Sequence, residues 1–149
     1  MRLTLHTDYA LRLLMSLAVA DGSRQTIEAI ARRHDISNNH LMKVTRTLTQ
    51  AGFVDGVRGR NGGIQLAHAP KDISLGDVVR ICEDNFALVD CFDAERNRCL
   101  LTPVCGLRGP LEEALAAFLA VLDRYSLADL IARPGQMNAL RQLVFPAGT

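Results

Sequence analysis

Tryptophan is absent from these 149 residues, and aromatic side chains of all kinds make up only 5%. The core must therefore be aliphatic, which suits packed helices. No apolar run reaches the roughly 20 residues that a membrane-spanning helix needs. There is no phosphate-binding loop, no dinucleotide fingerprint and no nucleophile–base constellation, so the common enzyme classes lack their machinery. Net charge is also scarce, at +1. That near-neutrality hides an asymmetry. Residues 22–71 hold eight Lys/Arg against three Asp/Glu, a surplus of +5, whereas residues 81–149 hold six against nine, a deficit of −3. A basic block followed by an acidic one points to a nucleic-acid surface in the first half and another task in the second.

What the chain does have is helical periodicity. An apolar stretch from Leu13 to Val19, with Ala18-Val19-Ala20 at its end, imitates a secretory signal. Asp8 and Arg12 interrupt that pattern, and Leu5, Tyr9, Leu13 and Leu17 recur as one face of an amphipathic helix over 3–20. The expected compartment is the cytoplasm. Thr26 can cap a second helix that faces Ile27, Ile30 and Ala31 inward, and Asp35-Ile36-Ser37 reads as a tight turn into a third helix over 38–51. That third helix carries two stripes. Leu41, Val44 and Leu48 are apolar; Asn39, Lys43, Arg46 and Gln50 are donors of the type that read base edges or hold phosphates. Beyond Gly52, strands over 53–57 and 64–67 flank the loop Arg58-Gly59-Arg60-Asn61-Gly62-Gly63, whose arginines project from a glycine-rich turn.

Two helices around a tight turn, followed by a basic hairpin, describe a winged helix-turn-helix in a mainly α fold with a small β-hairpin wing. The expected partner is a double-stranded, palindromic DNA operator. Asn38, Asn39, His40, Lys43 and Arg46 should enter the major groove, and Arg58, Arg60 and Asn61 should reach backbone or minor groove. Ser74 and Asp77 have capping-box spacing, with Ile73 and Val78 as a staple, so a helix follows over 75–83. Pro110 opens a long helix with Leu111, Leu115, Phe118, Leu122 and Tyr125 on one face. So apolar a helix after a complete winged domain needs a partner, and a second copy of the chain is the simplest one. Ser126 and Asp129 repeat the capping spacing, and Pro134-Gly135 breaks the chain before a short final helix. This divides the chain into a DNA-binding domain (1–83), a cysteine-containing loop (84–109) and a dimerisation helix with a C-terminal arm (110–149).

Three of four cysteines, Cys91, Cys99 and Cys105, fall within that irregular loop. In a small cytosolic chain such a cluster indicates a metal site rather than a disulfide framework. Cys82 sits among Val78, Val79 and Ile81 on a helix and reads as core filler. Three thiolates leave one coordination position for Asp8, Asp90, Asp93 or His6. A metal-free thiol switch and a structural zinc site are the competing readings. Asp8, one of the candidate ligands, and His34, a surface residue, do not read as catalytic groups.

Taken together, Arg2-Leu3-Thr4, Thr7 to Arg12, Asn39 to Val44, Val57 to Ile64, Leu75 to Arg80, the Cys99-x5-Cys105 pair and Tyr125 to Leu130 resemble a known family over nearly the whole chain. It is the iron–sulfur winged-helix regulators that include IscR, and within it the NsrR-like, nitric-oxide-sensing branch. The resemblance implies a homodimeric repressor with an iron–sulfur cluster, [4Fe-4S] in preference to [2Fe-2S], on Cys91, Cys99 and Cys105. It also implies that Asp8 of the other subunit supplies the fourth ligand. Two departures stand out. The histidine expected three residues after the last cysteine is Arg108, which favours a nitric-oxide sensor over an iron–sulfur-homeostasis regulator. Seven residues separate Cys91 from Cys99, a longer gap than the family pattern leads one to expect.

Overall fold

Thr4 begins the first helix by turning its hydroxyl onto the chain: Oγ1 accepts from the Thr7 N–H at 3.3 Å. The helix, α1, spans Leu5–Val19. The computed structural model describes residues 2–57, 59, 62–132 and 134–145, without the Pro134 side chain. Thr26 caps α2 (Ile27–His34) through the Ala29 N–H, and Ser37 caps α3 (Asn38–Gln50) through the His40 N–H. Each cap satisfies a donor that the helix leaves orphaned and stabilises it by about 1 kcal/mol. The α2–α3 turn rests on Asp35, which adopts the left-handed conformation at φ 52° and lets Ile36 fold back into the core.

An antiparallel hairpin follows, β1 (Val54–Val57) and β2 (Gly63–Leu66), with Val54 opposite Leu66 and Val57 opposite Gly63. Next come α4 (Leu75–Cys82), an irregular segment over 83–107, α5 (Arg108–Leu122) and α6 (Pro134–Val144). This is the expected mainly helical, winged helix-turn-helix architecture. The core is aliphatic: Leu13, Leu14, Ile30, Leu41, Leu48, Ile73, Val78 and Leu127 are fully buried. At about 1.5–3 kcal/mol for each large side chain, this cluster is the main favourable contribution to folding. A smaller cluster, Val19, Ile131 and Val144, seats α6 against the end of α1.

Several local expectations shift. The buried face of α1 is Ala10, Leu13, Leu14 and Leu17, and Leu5 is 52% exposed. A strict four-residue repeat overshoots a helical turn by about 40° at each step, so Leu5 rotates off the core face. The long fifth helix begins two residues before Pro110 and ends at Leu122, before Tyr125. The Ser126–Asp129 spacing caps no helix. The Asp129 carboxylate instead accepts from both the N–H and hydroxyl of Ser126, at 2.7 Å each, and a string of turns follows. No helix among the described residues is long and apolar enough to cross a membrane.

Candidate DNA-binding face and cysteine cavity

On α3 the two stripes separate as their spacing requires. Leu41, Val44 and Leu48 are buried, while Asn38, Asn39, His40, Lys43, Arg46 and Gln50 are all exposed. Two contacts fix the helix on α1. His6 Nε2 lies 3.1 Å from Thr47 Oγ1, and the His40 ring packs on Tyr9 with centroids 6.2 Å apart. Between α3 and the hairpin lies a cleft of about 840 Å³, lined by Thr26, Met42, Arg46, Gln50, Val57 and Gly63 among others. Met42 belongs to neither sequence stripe, yet it is 45% exposed and lines this cleft. Arg58, Arg60 and Asn61, the expected wing-tip contacts, lie outside the described residues.

The loop that joins α4 to α5 brings three cysteines to one place. Cys91, Cys99 and Cys105 line a single cavity of about 410 Å³, together with Val89, Asp90, Leu101, Leu107, Arg108 and Leu111. All are free thiols. Short local bonds shape the loop. Asp93 Oδ1 accepts from the Glu95 and Arg96 N–H groups, and Asn97 Oδ1 accepts from the Cys99 N–H and the Thr102 hydroxyl. These turns are of the type in which Asx side chains replace a backbone partner. Arg108 opens α5 at the cavity wall and pairs with Glu112 at 2.7 Å. Chiefly Glu112, and additionally Cys91, favour its charged form. Among the described residues no three His, Cys, Asp or Glu side chains meet closely enough to hold a single metal ion.

The fourth cysteine is chemically different. Cys82 is buried on α4, and burial, reinforced by Glu83, pushes its thiol up to about 11. Of the proposed fourth ligands, Asp90 lines the cysteine cavity; Asp8, Asp93 and His6 do not. Asp8 sits in the first turn of α1, where Arg12 grips its carboxylate at 2.7 and 3.2 Å.

Two arrangements had no sequence signal. Glu83, just past α4, accepts from the Thr4 N–H at 2.8 Å, from the Thr4 hydroxyl at 3.1 Å and from the Thr7 hydroxyl. It thereby ties the start of the cysteine loop to the start of α1, across 76 to 79 residues of chain. His34, expected at the surface, is partly buried and lies 2.7 Å from Ser16 Oγ. Burial first, then Arg12 and Arg33, lower its pKa below the usual value, against a smaller opposing effect of Asp8.

Comparison with known proteins agrees with this geometry. Residues 3–133 match the family model of Rrf2, described as an iron-dependent transcriptional regulator. The chain is 53% identical over 132 residues to the HTH-type transcriptional regulator NsrR of Bacillus subtilis, covering 88% of this chain and 90% of that one. Among solved structures it is similar to the IscR of T. potens, with a TM-score of 0.71, 26% identity and 91% of each chain covered. It is also similar to CymR, the global cysteine regulator of B. subtilis, with a TM-score of 0.70 and 26% identity over 89% of this chain and 97% of that one. These relatives are regulators, not enzymes.

Proposed function

Because the chain belongs to the Rrf2 family of iron-dependent transcriptional regulators, we propose that it is a homodimeric repressor whose operator affinity is set by an iron–sulfur cluster that reacts with nitric oxide. The observation that carries this reading is the convergence of Cys91, Cys99 and Cys105 on one apolar-walled cavity. Three thiols on one apolar-walled cavity fit an iron–sulfur cluster, which takes one thiolate at each iron.

Cys91, Cys99 and Cys105 would hold the cluster, [4Fe-4S] in preference to [2Fe-2S], with Asp8 of a second copy as the remaining ligand. When bound, the cluster would supply iron sites with which nitric oxide can react. The rest follows from this chain's own residues. Through Glu83, the position of the cysteine loop is tied to the Thr4 cap of α1, one turn from Asp8. Tyr9 and His6, on the same helix, hold α3. A shift of the loop is thus passed through α1 to the helix that enters the major groove. Two such helices in a dimer must match half-sites about 34 Å apart, so a small rotation lowers affinity.

The apolar face of α5 supports the dimer. None of its residues is buried, and Leu107, just before it, and Val121 within it are largely exposed. The experiment that tests the whole reading is the visible spectrum of protein purified without oxygen, before and after nitric oxide. A brown protein that bleaches on nitric oxide and then releases DNA is the expected result. A colourless protein, even after anaerobic reconstitution with iron and sulfide, overturns it in favour of a thiol or zinc regulator on the same scaffold.

A further inference from the structure

The wing is not held by its own two strands alone. Gln25, between α1 and α2, forms an antiparallel bridge with Ile64: its N–H donates to the Ile64 carbonyl at 3.0 Å, and the Ile64 N–H donates back at 2.8 Å. Gly63 permits this approach. Its φ is 151°, and a Cβ there would lie 2.9 Å from the Gln25 carbonyl oxygen. The base of the wing therefore has a third strand-like partner, one residue of which carries a long amide side chain.

That side chain is oriented from both ends. Gln25 Nε2 donates to Ser23 Oγ at 3.2 Å and to the Arg24 carbonyl at 3.1 Å, and Oε1 accepts from Arg33 Nη1 at 3.1 Å. Arg33 is in turn placed by the last described residue of the chain. Its guanidinium carbon lies 4.6 Å from the centre of the Phe145 ring, a cation–π geometry. Phe145 packs on the Val19, Ile131 and Val144 cluster. Arg141 moors α6 to the end of α1, donating to the Val19 carbonyl at 3.1 Å and lying 3.6 Å from Asp21. The C-terminal helix is thus joined to the root of the wing through two side chains, Arg33 and Gln25.

We propose that Arg33 is a positioning residue for DNA binding: held by Phe145, it fixes Gln25 and so the angle at which the wing leaves the body, with α6 acting as a strap. The proposal rests on the reading of the hairpin as a DNA-contacting wing. An angular error at the root is multiplied at the tip, so a slight relaxation at Gln25 weakens the hold of Arg58 and Arg60 on phosphates.

The test is a double-mutant cycle on the full-length protein. Binding to a fluorescent duplex, enriched from random sequence on the wild-type protein, is measured across a salt series. Arg33→Met and Phe145→Leu remove the guanidinium and the ring face; Phe145→Tyr keeps the face. Melting curves show that each variant is folded. Arg33→Met and Phe145→Leu are expected to weaken binding roughly two- to five-fold, the effect of removing one exposed cation–π pair. The salt slope should fall by about one charge unit for each phosphate that the wing no longer reaches. Phe145→Tyr should bind as wild type. In a background that carries both Arg58→Ala and Arg60→Ala, Arg33→Met and Phe145→Leu should have no further effect. If they weaken binding equally in both backgrounds, or leave affinity and slope unchanged in the wild-type background, the positioning role is wrong. If the Arg58→Ala, Arg60→Ala background alone leaves affinity and slope at wild-type values, the wing reading fails, and that failure is visible separately from the other two.

Discussion

Cys82 and the other three cysteines share a functional group but not an environment, and the difference predicts their chemistry. Burial on α4 keeps the Cys82 thiol protonated at physiological pH, with its pKa pushed up to about 11, and the thiolate is the reactive form. Native, metal-free protein at pH 8 should therefore release three fast equivalents in a thiol-alkylation titration, and the fourth only on unfolding. Four fast equivalents would show that Cys82 is accessible. His34 makes a prediction of opposite type. Its pKa is lowered in the fold, chiefly by burial, so the unfolded chain binds the proton more tightly. Its contribution to stability is complete above the unfolded value of about 6.5 and is lost as pH falls from there through the folded value. Melting temperature should drop over that acidic range, and His34→Gln should flatten the drop there. An unchanged pH profile in the variant would remove His34 as its cause. The spacing of the cysteines identified the three that converge. The partial burial of His34 and its contact with Ser16 join residues on two helices, and no pattern along the chain encodes it.

At the scale of the element, caps and turns were legible because their chemistry is local. Thr26, Ser37 and Ser74 each cap the helix that follows, and Asp35 makes the turn between α2 and α3. The register of buried faces was less legible, as Leu5 and the Ser126–Asp129 pair show, because which side of a helix is buried depends on what packs against it. Gly76 is a case that only packing explains. A Cβ at this position would lie 1.9 Å from Asp123 Oδ1. That carboxylate is forked to Arg80 at 2.5 and 2.8 Å, joining α4 to the end of α5. Gly76→Ala should therefore destabilise the protein by about 1–3 kcal/mol, the usual cost of overpacking. The gain in helix propensity offsets about 1 kcal/mol at most. Chemical denaturation measures the balance, and a stabilised variant would mean that Asp123 moves aside freely.

For the whole molecule, the functional proposal links two parts that are far apart in sequence. Within one copy Asp8 is gripped by Arg12 and does not line the cavity of the three cysteines, so the Asp8 ligand of the proposal would come from a second copy. Asp8→Ala should leave the metal-free fold and its thiol count intact while making the reconstituted cluster more labile, read as faster loss of visible absorbance to a chelator. Leu115→Lys on the unburied face of α5 should give a monomer by sedimentation and reduce operator affinity at least ten-fold, since a single half-site lacks the second recognition helix. A Leu115→Lys protein that remained dimeric would move the interface elsewhere.

The sequence by itself determined the winged helix-turn-helix, the three-cysteine loop and the polar stripe of α3. Each of these is written in local periodicity, turn chemistry or short spacing, and such signals survive without knowledge of what lies across the fold. The tertiary structure alone decided that Glu83 ties the cysteine loop to Thr4, that α6 returns to the end of α1, and that Arg33 stands between Phe145 and the root of the wing. Those contacts join residues up to 122 positions apart. Their partners are chosen by how helices stack to bury the aliphatic core, and that packing places side chains together that share no pattern along the chain.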